Sequence, residues 1–166
     1  MPIQTRLLAI PALVGLATIM SCVAPPSTDL QSNREIVRRF IAETNAQNFS
    51  AYDELLTGDL IQHFPGGIDK DRQVVEENER MFATAFPDIF RTIEDLIAEG
   101  DKVVARTSLR GTHLGDFGGI SATGRPIRFT VLVVHRIAEG RIAESWVEFD
   151  VISLMSQISD VDAADQ

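Results

Sequence analysis

Apolar positions recur at helical spacing in the first half of the chain and alternate at strand spacing in the second. Ile36, Val37, Phe40 and Ile41 form a narrow stripe on one helical face, with Arg34, Arg38, Arg39 and Glu43 mostly off it. Ser32 or Asn33 can cap this helix, and Asn45-Ala46-Gln47-Asn48 ends it. A second, short helix capped by Ser50 carries Tyr52, Leu55 and Leu56, and Thr57-Gly58-Asp59 stops it. Leu60 to Phe64 reads as a short strand closed by Pro65-Gly66-Gly67. A third helix follows over about Asp71 to Ala85, with Val74, Val75, Met81 and Phe82 as its apolar residues. Phe86-Pro87-Asp88 breaks it, because proline biases the residue before it away from helical backbone.

The period then becomes two. Ile89 to Ala98 and Lys102 to Gly111 are joined through Glu99-Gly100-Asp101, a hairpin signature. In the second of these, Val103, Ala105, Thr107 and Leu109 take one face while Arg106, Ser108 and Arg110 take the other. A long glycine-rich loop, His113 to Pro126, leads to the most strand-like stretch of the chain, Phe129 to Ile137. Glu139-Gly140 offers a tight two-residue turn into a return strand, Ile142 to Asp150. With that turn, Ile137 faces Ile142, His135 faces Glu144, Val133 faces Trp146 and Phe129 faces Asp150. A short helix around Ile152 to Ile158 and an acidic tail, 160–166, complete the chain. Helices first and antiparallel strands afterwards predict an α+β domain, a curved sheet wrapped by helices.

The N-terminal stretch stands apart from this pattern. Arg6 is followed by a continuous run of apolar and small residues from Leu7 to Met20. As a helix it would span about 21 Å, short of the roughly 30 Å bilayer core, and Pro11 and Gly15 weaken it further. It reads as a secretory signal. Ile19-Met20-Ser21-Cys22 resembles a bacterial lipobox, which implies cleavage after residue 21, lipidation of Cys22 and display on a membrane facing the periplasm or exterior. An ordinary signal cleaved after Ala24 is the alternative. Residues 22–32, with Pro25-Pro26-Ser27-Thr28, read as an extended tether. Cys22 is the only cysteine, so no intrachain disulfide is available. A formal charge of −9, from 24 acidic against 15 basic residues, argues against a nucleic-acid partner. No P-loop, dinucleotide fingerprint or zinc spacing is present, and no helix follows Gly115 to Gly119.

Seven short segments stand in a familiar order. They are Val37-Arg38-Arg39-Phe40, Asp59-Leu60-Ile61-Gln62-His63, Phe86-Pro87-Asp88, Gly111-Thr112-His113-Leu114-Gly115, Thr123-Gly124-Arg125-Pro126, Gly140-Arg141-Ile142-Ala143-Glu144 and Trp146-Val147-Glu148-Phe149-Asp150. Together they resemble the SnoaL-like polyketide cyclase family over a domain spanning about 33–159. The resemblance implies an NTF2-like cone, a bent antiparallel sheet and about three N-terminal helices around an apolar cavity, often paired through the sheet as a homodimer. It also implies acid/base chemistry without metal or cofactor, in which an acid on the last long strand closes a ring by an intramolecular aldol step. Counted from the shared turn, Val147 occupies that acid's place, and a one-residue bulge would bring Glu148 there instead.

Candidate site residues follow. His63 can exchange a proton near neutral pH or simply sit hydrogen-bonded in a cavity wall. Glu148 and Asp150 share a strand face with Trp146; in an apolar pocket either carboxyl would be a proton-transfer group, whereas at an interface or in solvent both are only solvated. Trp146 suits a ligand shelf, and Phe64, Phe86, His113 and Val147 join it as candidate ligand contacts. His113 can alternatively cap the backbone of the loop it opens. The expected function is an exported cyclase or isomerase acting on an apolar carbonyl compound, with His63 and Glu148 or Asp150 moving protons. A non-catalytic binding module of the same fold is the rival, and a hydrolase or dehydratase a third reading.

Overall fold

The computed structural model describes residues 29–159. The expected signal segment 1–21, the lipid-bearing Cys22, the tether as far as residue 28 and the tail 160–166 lie outside the described residues.

Six strands form one open, curved sheet in the order β2-β1-β6-β5-β4-β3. The long strands are β3 (Phe90–Glu99), β4 (Lys102–Thr112), β5 (Pro126–Ala138) and β6 (Arg141–Phe149), joined in antiparallel succession. Glu139 and Gly140 both have positive φ, 51° and 74°, so the β5–β6 turn is the mirror-image type whose twist matches a hairpin. β1 (Leu56–Phe64) runs parallel to β6, and a further strand, β2 (Ile68–Asp71), folds back onto β1 after Pro65-Gly66-Gly67. β2 had no strand signal, because Ile-Asp-Lys-Asp is poor in residues that favour sheet.

The helices cover the concave face. α1 (Leu30–Asn45) begins earlier than the sequence suggests: the Asp29 carboxylate accepts from the Gln31 and Ser32 backbone N–H groups and caps it, in place of Ser32 or Asn33. A 3-10 turn (Phe49–Ala51) and the one-turn α2 (Tyr52–Leu55) follow; α3 (Arg72–Ala85) is capped by Asp71, and α4 (Val151–Ile158) closes the chain. Two apolar clusters hold this face. One joins Val37 and Ile41 of α1 to Leu56, Leu60, Val103, Ala105, Ile137 and Ile142. The other joins Ala85, Phe86 and Ile89 to Leu109, Ile127, Phe129, Leu154 and Ile158. Each of the Val, Leu, Ile and Phe side chains among them, fully buried, contributes about 1.5–3 kcal/mol.

One irregularity decides what the sheet presents inward. Ile137 pairs with Ile142, but Arg136 pairs with Glu144, so Ala143 is left without a partner across the ladder. This bulge shifts every later pair of the hairpin by one residue. His135 therefore opposes Ser145, not Glu144; Val133 opposes Val147, not Trp146; and the ladder ends with Val131 opposite Phe149, without the expected pairing of Phe129 with Asp150.

Candidate active site

Between the sheet and α1 and α3 lies a cavity of about 300 Å³. Protein interiors are otherwise close-packed, so a void of this size is larger than packing imperfections leave and has room for a small molecule. Its wall is mostly apolar: Phe40 and Ile41 of α1, Phe82 of α3, Phe64 of β1, Phe117 of the glycine-rich loop, and inward residues of β4, β5 and β6. Met81 lines it and is 49% exposed, so the cavity reaches solvent there. Six polar side chains interrupt the wall: Gln62, Asn78, Glu79, Arg91, Thr107 and His135.

His135 is the buried titratable group of this set. It is 4% exposed, and its Nδ1 lies 2.8 Å from the Ser145 Oγ. Its Nε2 makes no hydrogen bond within the protein, yet is not sealed among protein atoms; it faces the cavity. Burial pulls its pKa down to about 4, so the imidazole is neutral at ordinary pH. With Nδ1–H donating to Ser145, Nε2 is a free base; with Ser145 donating to Nδ1, Nε2 carries a proton to give. Thr107 differs, since its hydroxyl is committed to the Val131 carbonyl at 3.4 Å.

Glu79 and Arg91 form the second polar feature. Glu79 sits on α3 in line with Val75, Asn78 and Phe82, and its Oε2 accepts from Arg91 Nη2 at 2.6 Å. Arg91 is fixed from behind. Its backbone N–H donates to Asn45 Oδ1, and its carbonyl accepts from Asn45 Nδ2, both at 2.9 Å.

The expected site residues divide between the two faces of the sheet. Phe64 and Val147 do line the cavity. Trp146, Glu148, Asp150 and His63 do not, because the Ala143 bulge and the parity of β1 turn them to the convex side. There the His63 ring stacks on Trp146 with centroids 5.2 Å apart, and Lys102 lies 5.2 Å from the same indole. His63 Nδ1 meets Asp69 at 2.7 Å and Nε2 meets Glu144 at 2.9 Å. The Glu144 and Asp69 carboxylates raise the His63 pKa; Arg136, which donates to Glu144 at 2.8 Å, and then His63 lower that of Glu144. Glu148 and Asp150 lie along a shallow convex groove with Arg106, Thr130 and Leu132, and Asp150 accepts from the Ser153 N–H to cap α4. Convergence of His63, Glu148 and Asp150 on one enclosed space, which their joint catalytic role requires, is not what the fold provides. Phe86 and His113 are fully buried in the core beside the cavity, with rings 5.3 Å apart. His113 anchors the glycine-rich loop through Thr123 and through backbone bonds with Gly124 and Arg125.

Sequence reasoning set His135 beside Glu144 as an exposed or interface pair, which its burial and its pairing with Ser145 overturn, and it passed over Glu79 and Arg91. The latter two left a signal. Glu79 is an acid on the apolar stripe of α3, and Arg91 shares the inward parity of Ile93 on β3. Among the described residues no cluster of His, Cys, Asp and Glu is arranged to hold a metal ion.

An open, bent sheet closed by helices over an apolar cavity is the NTF2-like architecture. Comparison sharpens this: the SnoaL-like polyketide cyclase family matches residues 35–158, and the chain belongs to it. Among solved structures, IdmH of Streptomyces antibioticus, a candidate polyketide cyclase, is 29% identical with a TM-score of 0.69, over 75% of this chain and 96% of that one. A candidate polyketide cyclase of Acidithiobacillus ferrooxidans is 26% identical with a TM-score of 0.69, covering 81% and 97%. A SnoaL-like protein from Jannaschia sp. CCS1, at 24% identity and TM-score 0.74 over 82% and 98%, shares the fold. No curated protein sequence is similar enough to count as a match.

Proposed function

We propose that this domain is an acid/base cyclase or isomerase acting on a small apolar carbonyl compound, with His135 as its proton-transfer group. The observation that carries this reading is the unpartnered Nε2 of a neutral, buried imidazole facing an apolar cavity. Nε2 takes a proton from the carbon next to the substrate carbonyl. The resulting enolate then either closes on a second carbonyl of the same molecule, whose alkoxide takes the proton back from the imidazolium, or is reprotonated at another carbon by that imidazolium. A base held this low in pKa suits activated carbon acids, such as a C–H flanked by two carbonyls, better than simple ketones. Membership of a polyketide cyclase family supports the reading, since polyketides carry such centres.

One observation favours a second reading, a ligand-binding module. β6 presents Val147 and Phe149 to the cavity, neither able to exchange a proton. The two readings separate on deuterium exchange into 2-tetralone, a bicyclic ketone with an activated CH2 beside its carbonyl, followed by NMR in D2O. Catalysis predicts accelerated exchange in the wild type and at least a roughly tenfold loss in His135→Gln. Binding of the ketone without acceleration would leave the module reading standing and remove the enzymatic one.

A further inference from the structure

The cavity wall holds one cation, and its donors are mostly unspent. Of the five N–H donors of the Arg91 guanidinium, one is used, by Nη2 on a single Glu79 oxygen at 2.6 Å. Nε and Nη1 carry no hydrogen bond, and neither belongs to the nitrogens sealed among protein atoms, although the side chain is only 13% exposed. A largely buried guanidinium held by one oxygen is an incomplete pair, because the fork of Arg is shaped to grip two oxygens of one carboxylate. The Asn45 clamp on both backbone groups of Arg91 fixes the strand position from which the side chain reaches the cavity. Asn78 and Gln62 add neutral polar groups to the same wall, and the rest of the lining is largely apolar.

We propose that the molecule bound in this cavity is an apolar carboxylate, whose two oxygens engage the free donors of Arg91 while its ring system fills the aromatic wall. Glu79 is the internal competitor: it satisfies part of the guanidinium in the empty cavity and yields to the ligand. A site of this build rejects the neutral isostere of its ligand, since binding the isostere leaves buried guanidinium donors unpaired. The inference rests on the cavity reading above and narrows the substrate to a carbonyl compound that also bears a carboxylate. It does not depend on turnover.

The test is a calorimetric titration of the domain with 2-naphthoate and with 2-naphthamide, its uncharged isostere, near neutral pH. The wild type should bind the carboxylate about tenfold or more tightly than the amide. Arg91→Gln should erase that preference while leaving amide affinity within about twofold, and Glu79→Gln, which removes the competitor but keeps the cation, should tighten carboxylate binding. A preference that survives Arg91→Gln, equal affinities in the wild type, or failure of both compounds to bind would each overturn the proposal. If the amide binds while the carboxylate does not, and 2-tetralone exchange still depends on His135, the acid/base reading survives and only the carboxylate assignment falls.

Discussion

Burial of the His135 imidazole should cost this domain stability as the solution is acidified. His135 is 4% exposed, meets the edge of Phe40 at 5.9 Å and lies in a wall with Val133 and Val147. No carboxylate hydrogen-bonds it, so burial takes its pKa from an ordinary 6.5 to about 4. Between those two values the unfolded chain binds a proton that the folded one refuses, and stability falls as pH drops through the window. The linkage relation gives a loss of about 2 kcal/mol between roughly pH 7.5 and pH 5, approaching about 3 kcal/mol below pH 4. His135→Gln removes the titration and keeps a side-chain partner for Ser145. Urea denaturation across this range should move the wild-type midpoint about 1 M further than the variant's. The shifted groups shared by both proteins, His63 with its raised pKa and Asp59, Asp88 and Glu144 with lowered ones, cancel in the comparison. Parallel curves for the two proteins would refute the burial argument and, with it, the claim that His135 enters the reaction neutral.

Two further substitutions test the face assignment. Asp150→Ala should cost about 1 kcal/mol in unfolding free energy, the usual loss for an N-cap, and Glu148→Gln almost nothing, with neither changing 2-tetralone exchange. A tenfold or greater drop in exchange for either would return the catalytic role to the convex side. His63 should stabilise the domain most when protonated, because each of its ring nitrogens then donates to a carboxylate. Its contribution is fully present below the ordinary 6.5 and is lost as pH rises through the raised folded value, so His63→Gln should lower the melting temperature more near pH 6 than near pH 9. Equal effects at both pH values would count against the pairing of His63 with Asp69 and Glu144.

The helices and long strands were legible because their signals are local: the stripe of α1, the clean alternation of β4 and the turn at Glu139-Gly140 all reappear in the fold. The site was less legible because it hangs on parity in β6, where both faces look fit for a cavity. Glu144, Trp146 and Glu148 alternate with Ser145, Val147 and Phe149, and pattern alone cannot choose between them. The choice is made elsewhere. Val103, Ala105, Thr107 and Leu109 fix which face of β4 is inside, and the ladder carries that parity to β5 by setting Leu109 against Phe129, Thr107 against Val131, Ala105 against Val133 and Val103 against His135. His135 is thus inside because it faces a fully buried valine, whatever turn follows it. The pairing of β4 with β5 spans a long glycine-rich loop that sets no register, and one unpaired alanine then inverts the parity of β6 relative to an uninterrupted hairpin. A strand whose faces are equally plausible is therefore read through its neighbour with unequal faces, and by that route the histidine on β5 reaches the cavity while the acids of β6 are left outside.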